Sequence, residues 1–197
     1  QYLSALFYTQ QYEEAIKMNK KMMKSFPANH EYNVDKGVIF LKSGEKIKGD
    51  KHLNKLINNL QNSVSYYNQV SNRFIKYEML DWAEKTLEIG SQKGNAKMYN
   101  YSLANLYARM NNKEKLQQLL INGVIEGSIS KNYAQNTLQR VLVDTDYEKL
   151  EINLIEKIQK HPDNYDLNEF MIWIYYQKKD FYGALMQAKA FDRKNKM

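Results

Sequence analysis

Cysteine is absent from this sequence, which excludes disulfides, thiolate metal sites and a cysteine nucleophile. Proline occurs only at Pro27 and Pro162, and eight glycines are spread over 197 residues. With so little punctuation, long stretches rich in Lys, Glu, Leu, Gln, Met and Ala favour helix. No run of 18 apolar residues is present, so no segment reads as a membrane-spanning helix. A basic-then-apolar leader is also lacking. Gln1 falls inside what reads as a helix already under way, so the chain reads as a piece of a longer one. The three histidines, His30, His52 and His161, stand far apart at expected helix ends or exposed faces. Neither a His-x-x-x-His nor a Glu-x-x-His pair exists, so no metal site is expected. Phosphate-cradling glycine loops and a Gly-x-Ser-x-Gly elbow are missing too. The expectation is a non-enzymatic protein without a cofactor.

What is present fits a folded domain: 43% apolar and 26% charged residues, with a formal charge of +7. The densest basic stretches, Lys17–Lys24 and Lys42–Lys51, are interrupted by apolar or acidic residues. That diffuse pattern is the pattern of solvated helix faces; sequence-tolerant RNA binding through Lys/Arg and Tyr ranks third among the readings, because the basic residues are not gathered on one helix series. The paired Glu13 and Glu14 open a helix, where acidic residues suit the dipole.

The organising feature is a period. Leu103-Ala104-x-x-Tyr107 places a large residue at 107, and large apolar residues recur at Leu6, Phe40, Phe74, Tyr107, Val141 and Tyr175, at intervals of 34, 34, 33, 34 and 34. A second series runs Ala15, Gly49, Ala83, Leu116, Leu150 and Ala184, in step with the first. Small residues let two helices cross closely, so Leu116 and Leu150 predict wider crossings. Both prolines fall where a helix must stop. The expected turns are Thr9–Gln11, Ser43-Gly44, Asn111-Asn112, Asp144–Asp146 and Lys178–Asp180, with Gly90–Gly94 as a connection between hairpins.

In these two series the chain resembles tetratricopeptide repeat (TPR) proteins over essentially its whole length. The resemblance implies an all-α, right-handed superhelical solenoid of about six helix-turn-helix hairpins in a single array. The repeats would run approximately 1–29, 30–63, 64–96, 97–130, 131–164 and 165–197. The ending Gln187–Arg193 is similar to segments of long bacterial envelope TPR proteins, which implies a periplasmic or envelope location, with the cytoplasm as the alternative.

The resemblance also implies a concave groove lined by the first helix of each hairpin. Counted from the large marker residue, the groove positions are Lys42, Asn68, Asn72, Lys76, Tyr101, Asn105, Arg109, Gln139 and Trp173. Asn offers both a donor and an acceptor to an extended peptide backbone. Lys and Arg bind carboxylates. The implied function is therefore a scaffold holding a polar or acidic peptide of a protein partner. The alternative is a spacer or assembly segment of a longer envelope protein with an empty groove. The last helix, Phe181–Phe191, carries Phe181, Leu185, Ala188 and Phe191 along one side, an apolar end suited to self-association.

Overall fold

A computed structural model of the chain describes residues 5–7 and 9–195. Among the described residues every regular element is a helix. After a helical stretch at 5–7 come α1 (Tyr12–Ser25), α2 (Glu31–Lys42), α3 (Lys46–Asn59), α4 (Val64–Lys76) and α5 (Leu80–Lys93). A 3₁₀ turn, Ala96–Tyr99, then precedes α6 (Asn100–Arg109), α7 (Lys113–Ile125), α8 (Lys131–Val141), α9 (Asp146–Lys160), α10 (Tyr165–Gln177) and α11 (Phe181–Asn195). The chain divides into two compact units, Gln1–Tyr99 and Asn100–Met197. In the first, α2 packs on α1, α3 and α4, and α5 packs on α3 and α4. In the second, α7 packs on α6 and α8, while α10 packs on α7, α8, α9 and α11.

The hairpins share one turn, and its chemistry accounts for the period. A left-handed backbone recurs at Gln10, Gly44, Glu78, Asn111 and Lys179, with φ of 55°, 88°, 56°, 52° and 60°. At each, the following amide donates back to a carbonyl five residues earlier: Gln11 to Leu6, Glu45 to Phe40, Met79 to Phe74, Asn112 to Tyr107 and Asp180 to Tyr175. The left-handed residue itself donates three residues back, as Gly44 does to Leu41 and Glu78 to Ile75. This pair of bonds is the Schellman motif, which satisfies the carbonyls a helix end leaves open. The large marker residue is thus the third from the end of its helix, the position whose carbonyl closes the turn. Four of the six, Leu6, Phe40, Phe74 and Tyr107, are buried.

The small marker residue is fixed by the same turn. Ala15, Gly49, Ala83, Leu116 and Ala184 are each the fourth residue of their helix, and each amide donates to the carbonyl of the residue before that helix, at 2.9–3.1 Å. All are buried. Pro27 and Pro162 each lie two residues beyond a helix end, where no helical amide is needed.

The fifth hairpin departs from the rule. Its first helix stops at Val141, so the large marker is the last helical residue and only half-buried. Leu142, in extended backbone, takes the buried place instead. Thr145 has an ordinary φ of −68°, and no left-handed residue is present. Asp146 holds the corner: its carboxylate accepts the Val143 amide at 2.9 Å and pairs with Lys113 of α7 at 2.6 Å. The Lys113 hydrogen bond, then the Val143 amide, keep the Asp146 carboxyl below the usual carboxylate range. Leu150 becomes the fifth residue of its helix, and α8 and α9 pack together more weakly than α2 with α3, α4 with α5, α6 with α7 or α10 with α11.

One sequence expectation is overturned. Gly90 lies within α5 rather than in a connection, because the helix approaches two aromatic rings there: a Cβ at Gly90 would stand 2.7 Å from the Tyr67 ring and 2.8 Å from the Tyr99 ring. In the last helix Phe181 and Leu185 are exposed, together with Tyr182 and Met186, whereas Ala184 and Phe191 are buried, the latter against the Tyr165 ring.

Two predictions follow from the backbone. A left-handed non-glycine residue costs about 1–2 kcal/mol, so Lys179→Gly is expected to raise stability by about 1 kcal/mol in urea denaturation, whereas Thr145→Gly is expected to give no gain. Equal gains at 145 and 179 would contradict the distinction between the two turns. Gly90→Ala is expected to cost about 1–3 kcal/mol by overpacking the Tyr67 and Tyr99 rings; a neutral thermal melt would show that these rings give way.

Candidate functional site

The groove positions inferred from the sequence fall into both units, and each unit is described by itself. In the first, Lys42 and Lys76 are the last residues of α2 and α4. A cation at a helix C-terminus is favoured by the dipole, so their charge has a local structural reason. Their setting goes further. Both line one cleft of about 450 Å³, together with the rings of Phe7, Tyr12 and Tyr77 and the side chain of Glu78. Two successive hairpins thus bring two lysines and one acidic residue, Glu78, to one opening with three aromatic residues in its lining. Asn72 is exposed on α4 and Asn68 is half-buried, and neither lines the cleft.

The wall residue Tyr77 is held from beneath. Asp35 of α2 is buried, and Arg73 of α4 grips it with two bonds, Nε to Oδ1 at 2.6 Å and Nη2 to Oδ2 at 2.8 Å. Glu31 approaches the same guanidinium at 3.5 Å. The Tyr77 hydroxyl donates to Asp35 Oδ1 at 2.8 Å, and its ring meets Phe7 edge-on at 5.5 Å between centroids. Burial, then the charge of Asp35, push the Tyr77 hydroxyl above its ordinary pKa, so it remains a donor. Burial opposes the charge on Arg73, but the bonds and charge of Asp35 outweigh it and hold the guanidinium more firmly protonated. A bidentate buried pair of this kind fixes geometry as well as charge. It sets the spacing of the helices that end in Lys42 and Lys76.

Asp35, Arg73 and Tyr77 escape a reading by period. The signal was nevertheless present: the position before the large marker reads Ile39, Arg73, Leu106, Arg140 and Ile174, an apolar series broken by arginine.

In the second unit the structure joins Tyr101 and Asn105 through a residue the sequence reading missed. Tyr133 of α8 packs edge-on against Tyr101 at 4.7 Å, and its hydroxyl donates to Asn105 Oδ1 at 3.1 Å. The Tyr101 hydroxyl in turn accepts the Ser130 amide at 3.3 Å. Burial raises the Tyr133 pKa and keeps that hydroxyl a donor. Asn105 and Tyr101 are therefore partly committed to the protein itself. Gln139 and Arg109 are exposed, Arg109 as the last residue of α6. Trp173 is half-buried: its ring lies against Phe170 and Tyr147 at 5.5 and 5.9 Å. It walls a separate cleft of about 310 Å³ with Lys131, Gln135, Glu169 and Tyr176. In that cleft Lys131 is paired with Glu169, which balances the local charge.

Among the described residues no group of histidine, cysteine and carboxylate side chains has the arrangement of a metal site, and no helix is long and apolar enough to cross a membrane. No protein-family model matches the chain, and no curated protein matches its sequence.

Removing one member of the buried pair leaves the other uncompensated. Asp35→Ala is therefore expected to cost about 3–5 kcal/mol in urea denaturation. A Asp35→Leu/Arg73→Met double variant, which removes both charges, is expected to recover most of that loss. A cost below about 1 kcal/mol for Asp35→Ala would mean that the pair does not hold α2 to α4.

Proposed function

We propose that this chain is a TPR-type array, coiled as a right-handed superhelix, that serves as a non-enzymatic interaction scaffold. Its ligand is an acidic or polar peptide segment of a protein partner. Support for the repeat reading comes from the turn that recurs five times and from the two marker series it explains. The observation that carries the binding reading is the cleft shared by Lys42 and Lys76. Dipole complementarity explains each lysine singly, but it does not explain why rings of Phe7, Tyr12 and Tyr77 stand around them. Aromatic walls beside paired ammonium groups suit a carboxylate carried on a partly apolar chain. The exposed Asn72 adds a donor and an acceptor on the same helix as Lys76.

A second reading, an assembly segment of a longer envelope protein, draws on α11. Phe181, Tyr182, Leu185 and Met186 are exposed there, close to the exposed Tyr176, and the Phe181 and Tyr176 rings lie 5.8 Å apart. Such a patch suits self-association through the C-terminal hairpin.

The two readings separate by charge reversal. A panel of acidic and polar peptides, measured by fluorescence anisotropy, is expected to contain ligands that bind the parent chain. The Lys42→Glu/Lys76→Glu variant is expected to stay folded and lose that binding, with its thermal melt lowered only modestly by the reversed charges at the two helix ends. Each charge-assisted bond is worth about 1.5–3 kcal/mol, so losing two weakens binding by more than about a hundredfold. Peptides that bind parent and variant equally would remove the cleft from the function and leave the assembly reading in its place.

A further inference from the structure

A second cavity in the first unit has an unusual lining. About 440 Å³ in volume, it lies between the start of α2 and the end of α3. Lys36, Lys55, His30 and His52 converge on it, with Leu56 and Leu60 as apolar surface and no carboxylate in the lining. None of these residues belongs to the Lys42–Lys76 cleft.

The absence of acid has a cause in the packing. The carboxylates α2 carries, Glu31 and Asp35, are both turned to Arg73, and α4, which packs on α2, contains no acidic residue at all. The cationic groups facing the cavity are left without a counter-charge in its lining. The helix ends do not change this balance, because the positive start of α2 and the negative end of α3 meet there and offset one another.

The histidines are built in rather than loose on the surface. His52 Nε2 donates to the Asn33 carbonyl at 2.9 Å, which assigns its proton to that nitrogen and leaves Nδ1 as the other ring position. The His30 ring sits edge-on to Tyr66 at 4.7 Å, and its amide donates to Gln69 Oε1 at 3.4 Å. Both imidazoles are half-buried. Burial lowers the pKa of each, and the charges of Lys36 and Lys55 depress His52 further.

We propose that this cavity binds a doubly charged anion of the phosphate-monoester type carried on a small organic body. Lys36 and Lys55 supply the matching charge, the imidazoles of His30 and His52 line the polar wall, and Leu56 and Leu60 meet the organic part. Two positive charges match a dianion better than they match one carboxylate. The apolar residues give an organic phosphate an advantage over free phosphate.

The chain reports on the site through its own histidines. Phenyl phosphate, titrated at constant ionic strength, is expected to shift the imidazole proton resonances of His30 and His52 saturably, while His161 stays in place as the internal control. Inorganic phosphate and benzoate are each expected to bind at least about tenfold more weakly. Lys36→Ala and Lys55→Ala are each expected to weaken phenyl phosphate about tenfold or more, the loss of one charge-assisted contact, and the double variant to abolish saturation. Circular dichroism melts accompany each variant, and Lys36→Gln/Lys55→Gln, which keeps most of each side-chain stem, replaces the alanine pair if its melt falls. Shifts that grow linearly, as with potassium chloride, overturn the site. So does saturation that survives in the double variant. Benzoate binding as tightly as phenyl phosphate overturns the dianion assignment, and inorganic phosphate doing so overturns the organic body.

Discussion

One backbone constraint underlies most of this molecule: the left-handed residue that lets a helix end bond back onto itself. At Gln10, Gly44, Glu78, Asn111 and Lys179 that residue reverses the chain, and the amide after it is bonded to the carbonyl five residues earlier. The turn sets how far the second helix starts from the end of the first. It therefore decides which side chain of each helix meets the other. The large residue three from the end and the small residue four from the start are consequences of that geometry. Where the left-handed residue is missing, at Thr145, both register and close packing are lost, and Asp146 with Lys113 takes over the corner.

The second determinant is electrostatic and local to the first unit. Asp35 and Arg73 tie α2 to α4 with a pair from which most water is excluded, and Tyr77 is bonded into it. The consequence reaches the surface, because Tyr77 is also a wall of the cleft where Lys42 and Lys76 meet. The same pair draws Glu31 and Asp35 away from the cavity that His30 and His52 line. One buried interaction thus shapes two openings, giving one a rigid aromatic side and leaving the other without acid.

Helix content and hairpin spacing were legible in the sequence because both marker series lie at positions the turn dictates. The turn itself was only partly legible. Glycine at 44 and asparagine at 111 carry the left-handed signal, but Gln10, Glu78 and Lys179 do not. Val141 keeps the period but is only half-buried, because a helix that stops early hands the buried place to its neighbour Leu142. Of the site, Lys42 and Lys76 were legible as groove positions, whereas Phe7 and Tyr12, which share their cleft, come from residues distant in sequence. Tyr133 was missed for a similar reason: its link to Asn105 crosses from α8 to α6 and leaves no trace in a helical period.

The turns also bear on how the chain reaches this state. Each Schellman bond joins residues five apart, so a hairpin closes with little loop entropy lost before its contacts form. Folding dominated by such contacts is fast and begins at many places along the chain. The corner at 142–146 is different: beside its local bond from Val143 to Asp146 it relies on Lys113 to Asp146, a contact that spans 33 residues. Part of its hold is therefore absent until α7 is in place. The Schellman turns close through their own backbone, whereas this corner also draws on a neighbouring helix.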